Sequence, residues 1–190
     1  MAEFVEREIK LRFKTVETAR KAVRAVGATT RFPRRLQDDR LLDWPDGRLH
    51  RDRCTLRIRD QEGSAMLTLK GPPQVARMKI REELETTVGN AKLLLRMLDR
   101  LGLRVWFRYQ KYREEFEHKG VIVTIDETPI GTFVELEGNE QGITETADAM
   151  GRTPADYVLE SYRALFVADC GARKLSTTDM IFDQPADLQQ

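Results

Sequence analysis

Apolar and polar residues alternate along much of this 190-residue chain, as in strands that turn one face toward a core. From Phe4 to Phe13, Glu6, Glu8, Lys10 and Arg12 face one way. Val5, Ile9, Leu11 and Phe13 face the other, with Arg7 the exception. The same period predicts strands over 36–43, 54–60, 65–70, 79–87, 105–116, 121–127 and 132–138. Turn chemistry bounds them at Trp44-Pro45-Asp46-Gly47, Gln61-Glu62-Gly63, Gly71-Pro72-Pro73 and Pro129-Ile130-Gly131. Helical spacing takes over elsewhere. Thr15 caps a stripe of Val16, Ala19, Val23 and Val26 closed by Gly27. Gly89-Asn90 opens a second stripe, Leu94, Met97, Leu98 and Leu101, closed by Gly102. A short helix is expected over 144–150 and a longer one from Asp156 to about Ala168.

The pattern predicts an α+β fold of about eight mostly antiparallel strands with two or three helices outside. It forms one domain over residues 1–170. A polar tail over 171–190 is expected to be partly disordered, with Met180-Ile181-Phe182 the segment in it able to dock on the body. Most strands carry charges on one face and apolar residues on the other. If the sheet closes with the apolar face toward the helices, the charges line the bore. That inverts an ordinary small barrel, whose interior is filled by apolar side chains.

The charges themselves are patterned. Glu6 and Glu8, and far downstream Glu135 and Glu137, form two carboxylate pairs at i, i+2. Strand side chains at that spacing share a face and lie about 7 Å apart. Between the pairs come Arg57 and Arg59, Lys70, Arg81, and Lys111 and Arg113 on the same kind of face. Repeated like charges on one buried face are costly unless something fills the space between them. A divalent ion and a polyphosphate would do so. Mg²⁺ takes one or two carboxylates plus phosphate oxygens and water, and the arginine fork matches phosphate. Asp126, on the strand before the second acidic pair, is placed to join the metal ligands, and Lys10 adds a point charge. The plain alternatives are a solvated acidic face for any single Glu-x-Glu, and cross-strand salt bridges, as among Arg81, Glu83 and Glu85.

Composition narrows the classes. With 41% hydrophobic and 33% charged residues the chain reads as globular, and a net charge of +1 argues against a nonspecific nucleic-acid surface. Cys54 and Cys170 have neither metal-ligand spacing nor a disulfide framework. Glu3, Glu6 and Glu8 interrupt the start, so no signal peptide is expected. No run approaches about 18 apolar residues, so no membrane span is expected and the cytoplasm is the default. His50 and His118 are lone histidines in polar surroundings, read as surface or turn residues. No hydrolase triad or phosphate loop is present.

The motifs resemble those of the CYTH domain, the triphosphate tunnel metalloenzyme superfamily. This superfamily includes CyaB-type class IV adenylate cyclases, thiamine triphosphatases and inorganic triphosphatases. Glu6-x-Glu8-x-Lys10, Leu56-Arg57-Ile58-Arg59, Leu67-Thr68-Leu69-Lys70, Arg81-x-Glu83-x-Glu85, Lys111-x-Arg113, Ile125-Asp126-Glu127 and Glu135-Leu136-Glu137-Gly138 follow the family's order over residues 1 to about 167. Ser161-Tyr162 with Leu165 resembles its C-terminal segment, although Glu160 stands where many members carry lysine. The resemblance implies an eight-stranded antiparallel tunnel and divalent-metal-dependent attack on a triphosphate, with Mg²⁺ or Mn²⁺. It gives Glu6, Glu8, Asp126, Glu135 and Glu137 to the metal. It gives Lys10, Arg57, Arg59, Arg81, Lys111 and Arg113 to phosphate, and Lys70 to activation of the attacking water. The expected partner is a small-molecule triphosphate, with no nucleic acid and no membrane, and a homodimer is left open. Hydrolysis of the triphosphate is the leading expectation. A class IV adenylate cyclase making cyclic AMP and pyrophosphate from ATP is the alternative, and a non-catalytic polyphosphate-binding module is third.

Overall fold

The computed structural model describes residues 4–61, 64–74 and 76–183. The opening alternation becomes β1 (Val5–Phe13), followed by α1 (Val16–Ala25). The Thr15 hydroxyl accepts from the Thr18 amide, while Thr18 reaches back to the Thr15 amide, a reciprocal cap that starts the helix. Then come β2 (Thr29–Asp43), the one-turn α2 (Arg48–Arg51), and a hairpin of β3 (Thr55–Gln61) and β4 (Ser64–Lys70). Glu62 and Gly63 of its expected turn lie outside the described residues, as do residues 184–190 of the tail. Next are β5 (Lys79–Val88) and α3 (Ala91–Arg100), capped by Asn90. Three successive strands follow, β6 (Arg104–His118), β7 (Val121–Thr128) and β8 (Gly131–Glu137). The chain ends in α4 (Glu140–Ala149), a two-residue β9 (Tyr157–Val158) and α5 (Tyr162–Arg173).

Eight strands close into a ring in the order β1, β5, β4, β3, β2, β6, β7, β8 and back to β1, antiparallel at every step. Two strands outrun their neighbours. β5 meets β1 only at residues 5–8, and β9 takes over the same edge at Lys10 and Leu11. β7 meets β6 only from Tyr112 onward. There the C-terminal segment fills the vacated edge: the Met180 amide donates to the Arg108 carbonyl at 3.0 Å, and its carbonyl accepts from Gln110 at 2.9 Å. Met180 itself is buried.

The main apolar core lies outside the ring. Ala19 and Val23 of α1, with Ile143 and Ala147 of α4, pack on Ile9, Leu11, Val123, Ile125, Val134 and Leu136. α3 covers Leu42 and Ile58 with Leu94, Leu95 and Leu98. A third cluster ties the sheet to the C-terminal segments: Leu41, Phe107, Tyr109 and Phe133 meet Tyr162 of α5 and Met180.

Three elements differ from expectation. β2 starts at Thr29 rather than Leu36, because its first half lacks alternation and runs through Pro33, where the register with β6 shifts between Phe32 and Arg35. The short helix starts at Glu140 rather than 144, since the Asn139 side chain caps it by accepting from the Gly142 amide. The expected helix from Asp156 is split. Pro154–Asp156 is a single 3₁₀ turn, Tyr157 and Val158 pair with β1, and α5 begins only where Ser161 accepts from the Ala164 amide.

Candidate functional site

Register decides which side chains enter the bore. Glu8 stands opposite both Glu137 and Lys79, Lys10 opposite Glu135, and Glu6 opposite Arg81. On the facing wall Arg57 stands opposite Thr68, Arg59 opposite Asp39, and Lys70 opposite Glu83. One cavity of about 410 Å³ is lined by Glu6, Glu8, Lys10, Arg57, Arg59, Lys70, Arg81, Lys111, Arg113, Glu135 and Glu137. Asp126, the remaining residue expected at the site, stands behind this lining.

The acids hold the cations in three groups. In the first, Lys70 Nζ donates to both Glu6 oxygens at 2.7 and 2.9 Å and lies 2.9 Å from Glu83. Arg81 Nε donates to Glu6 at 3.1 Å, and Lys79 Nζ to Glu8 at 2.6 Å. In the second, Lys10 bridges Glu8 at 3.2 Å and Glu135 at 3.4 Å. Arg113 reaches both Asp126 and Glu135. Lys111 Nζ donates to Asp126 at 2.7 Å, and the Tyr162 hydroxyl donates to the same Asp126 oxygen at 2.8 Å. In the third, the fully buried Asp39 accepts from Arg59 Nε at 2.8 Å and lies 3.5 Å from Arg57 Nε. Thr68 Oγ1 accepts from Arg57 at 3.1 Å and donates to Glu85 at 2.8 Å.

The electrostatics separate these acids. Burial alone would raise Glu8, but Lys10 and Lys79 outweigh it and hold the carboxyl well below the usual range. Burial likewise opposes ionisation of Asp126, and Arg113 and Lys111 overcome it. Burial and the Arg113 charge push Lys111 down to about 8, and burial and Lys10 do the same to Lys79. Glu137 behaves differently. Desolvation in the bore and the nearby Glu6 carboxylate push it up to about 7, with Glu83 and Glu8 adding to the effect against Lys70. Its side chain is nonetheless on the solvent-accessible part of the cavity. It forms no ion pair with a described residue.

This crowding bears on a metal. Among the described residues, no three His, Cys, Asp or Glu side chains converge as a ready-made ion site. The donor chemistry still fits a hard divalent ion that brings its own phosphate and water ligands. Glu6, Glu8 and Glu137 present carboxylate oxygens around the cavity, and Glu137 carries a charge its neighbours resist. Cations engage the other four acids: Lys70 and Arg81 hold Glu6, Lys79 and Lys10 hold Glu8, Arg113 and Lys10 hold Glu135, and Lys111 and Arg113 hold Asp126, which stands behind the lining.

Sequence reasoning missed several participants. Lys79 heads the same alternating series as Arg81, Glu83 and Glu85, so one more step of period 2 finds it. Asp39 follows Asp38 directly, and nothing local tells which of the two turns inward. The Tyr162 hydroxyl reaches Asp126 across 36 positions of sequence, a contact with no local signal.

A family model described as the CYTH domain matches residues 5–155. A Methanocaldococcus jannaschii protein that bears the name of an adenylate cyclase is 32% identical over 91 residues, covering 47% of this chain. The match spans about half that relative's length, 52% of it. The fold is shared with a Vibrio parahaemolyticus protein also named for adenylate cyclase, with a TM-score of 0.77, 20% identity, and coverage of 88% of this chain and 99% of that one. The PH1819 protein of Pyrococcus horikoshii superposes with a TM-score of 0.69 at 26% identity, over 86% of this chain and 99% of its own. A Hippeastrum protein named for adenylyl cyclase, in which triphosphatase activity is dominant, gives 0.62 at 20% identity, over 86% and 96%. With the family match covering most of its length and an eight-stranded ring enclosing a charged bore, this chain belongs to the CYTH domain family.

Proposed function

We propose that the bore binds a triphosphate and, with Mg²⁺ or Mn²⁺, hydrolyses a phosphoanhydride bond. One observation carries the reading: cations from five different strands (Lys10, Arg57, Arg59, Lys70, Arg81 and Arg113) line a single cavity that also holds Glu137, an acid in no ion pair among the described residues. A triphosphate carries about four negative charges and offers these cations oxygens in place of the carboxylates they now hold. Arg57 and Arg59 are preset for this by Asp39, and Lys111 and Arg113 by Asp126. Glu6, Glu8 and Glu137 would hold the divalent ion. When bound, it neutralises charge on the phosphate oxygens. Asp126, set behind the lining, then serves as an anchor for the cations rather than as a ligand.

Lys70 is the candidate for the catalytic role. Its ammonium is gripped by Glu6 and Glu83, so it points at a fixed place, where it orients a water or stabilises charge developing on the transferred phosphoryl group. Lys70→Ala is expected to lower kcat while leaving KM within a few-fold, because it acts mainly on the transition state. An unchanged kcat would reduce Lys70 to tunnel lining.

The second reading is an adenylate cyclase, supported by the name of the M. jannaschii relative. The bore would be used identically, and only the nucleophile differs: water in one case, a ribose hydroxyl in the other. Product analysis with Mg²⁺ or Mn²⁺ on tripolyphosphate, thiamine triphosphate and ATP separates them. Phosphate release without cyclic AMP is the expected result. Cyclic AMP plus pyrophosphate from ATP would overturn hydrolysis, and stoichiometric binding without turnover would leave a polyphosphate-binding module. The reaction is proposed for the cytoplasm, and no helix among the described residues is long and apolar enough to cross a membrane.

A further inference from the structure

The cavity does not end at the phosphate-binding cations. Toward α5 it continues past Arg57 to a mouth lined by His50, Thr55, Trp106 and Arg163. Trp106 is there because of a defect in strand pairing. Leu41 pairs with Phe107 and Leu42 with Val105, so Trp106 is the extra residue of a β-bulge. Bulges re-aim a side chain that strict alternation would turn away. Trp106 remains 37% exposed, a large aromatic residue left accessible beside a charged cavity. His50 flanks it at 5.2 Å between ring centroids, held by Asp43, whose carboxylate accepts from the Trp44, Leu49 and His50 amides.

Arg163 completes the mouth. It follows Tyr162 in the first turn of α5, so the Tyr162–Asp126 hydrogen bond fixes its position. Its guanidinium lies 4.5 Å over the Trp106 ring and 5.7 Å from Phe107. Unlike Lys70, Arg81 and Lys111, it has no acid partner among the described residues, and its buried Nε has no hydrogen-bond acceptor there. Burial, with nothing to offset it, pulls its pKa below the usual arginine value.

We propose that Trp106 and Arg163 recognise a neutral heteroaromatic ring attached to the triphosphate, that is, a nucleobase, at the α5 end of the bore. The inference rests on the triphosphate reading and adds the organic group to it. A base offers a π-face to the indole or the guanidinium plane and ring nitrogens or carbonyl oxygens to the terminal amino groups of Arg163, which are neither buried nor hydrogen-bonded among the described residues. Stacking on aromatic and arginine planes is a general mode of base recognition. The same arginine repels a cationic ring, so a thiazolium-bearing triphosphate is disfavoured.

The test compares kcat/KM for ATP, tripolyphosphate and thiamine triphosphate in wild type, Trp106→Ala and Arg163→Gln. Binding of ATP and of tripolyphosphate is followed separately by fluorescence in a Trp44→Phe background. Both mouth variants are expected to lose about tenfold or more on ATP, the scale of one lost base–aromatic stack, and to stay within twofold on tripolyphosphate. Arg163→Gln should improve thiamine triphosphate relative to ATP. Trp106 emission should be quenched by ATP and unaffected by tripolyphosphate. Equal losses on ATP and tripolyphosphate, or no loss on ATP, would overturn the base site while leaving the bore assignment intact. Failure of wild type to bind or cleave any of the three would instead remove the triphosphate reading, and this inference with it.

Discussion

Asp126→Asn should destabilise the fold by about 3–5 kcal/mol, the usual cost of removing one partner from a buried ion pair. The substitution keeps the side chain's size and removes its charge. Lys111 and Arg113 are then left inside the ring with Glu135 as their nearest remaining acid, and the Tyr162 hydroxyl loses a charged acceptor. The loss is expected to be large because Asp126 is fully buried and serves three donors at once. Urea unfolding gives the measurement: a lower midpoint at unchanged slope. The pH dependence supplies a second check. The folded pKa of Asp126 lies below its ordinary 3.8, so its contribution is present above that value and is lost as pH falls through the folded pKa. The variant should lack this part of the acid limb. A midpoint within experimental error of wild type would show that Asp126 is not an anchor, and would return it to the set of acids available to a metal.

Much of the architecture was legible because the outer faces of β1, β7 and β8 are buried against α1 and α4, and those of β2 and β3 against α3. Burial enforces alternation, so Ile9 and Leu11, or Val123 and Ile125, announce both the strand and its outward face. It also follows that Glu8, Lys10 and Glu135 turn inward. Where no helix covers the strand, the pattern fails: the exposed start of β2 reads as loop, and Tyr157-Val158 as part of a helix. Legibility within the site stops at pairing. Alternation places Glu6 and Lys70 on the inner face, yet their 2.7 Å contact crosses 64 positions and depends on ring closure between β1 and β5. The same closure decides that Glu135 pairs with Arg113 and Lys10 while Glu137, two residues on, forms no ion pair among the described residues. Identical residues at i and i+2 thus acquire different chemistry from their neighbours on other strands. The bulge at Trp106 was hidden for a related reason, since a one-residue register shift leaves the local sequence looking like a continuous strand.

That difference between Glu135 and Glu137 leads to the largest expected effect on activity. Glu137→Gln should lower kcat by about 100- to 1000-fold, the scale of several kcal/mol of charge stabilisation lost at a bound divalent ion. The fold should not suffer. Glu137 sits among Glu6, Glu8 and Glu83, and its carboxyl is pushed from the ordinary 4.5 up to about 7. A carboxyl whose folded pKa is raised binds its proton more tightly in the native state, so wild-type stability falls as pH rises from about 4.5 through 7. The glutamine variant has no such titration. Its Tm should match wild type near pH 4.5 and exceed it increasingly toward pH 8. Mg²⁺ should reverse the ordering, raising the Tm of wild type by binding the native state and raising that of the variant much less. A purely structural role predicts the opposite signs: a lower Tm for the variant and the same response to Mg²⁺ in both proteins. Turnover near wild type together with an equal Mg²⁺ response would remove Glu137 from the metal site, and with it the chemical distinction between the two acids of β8.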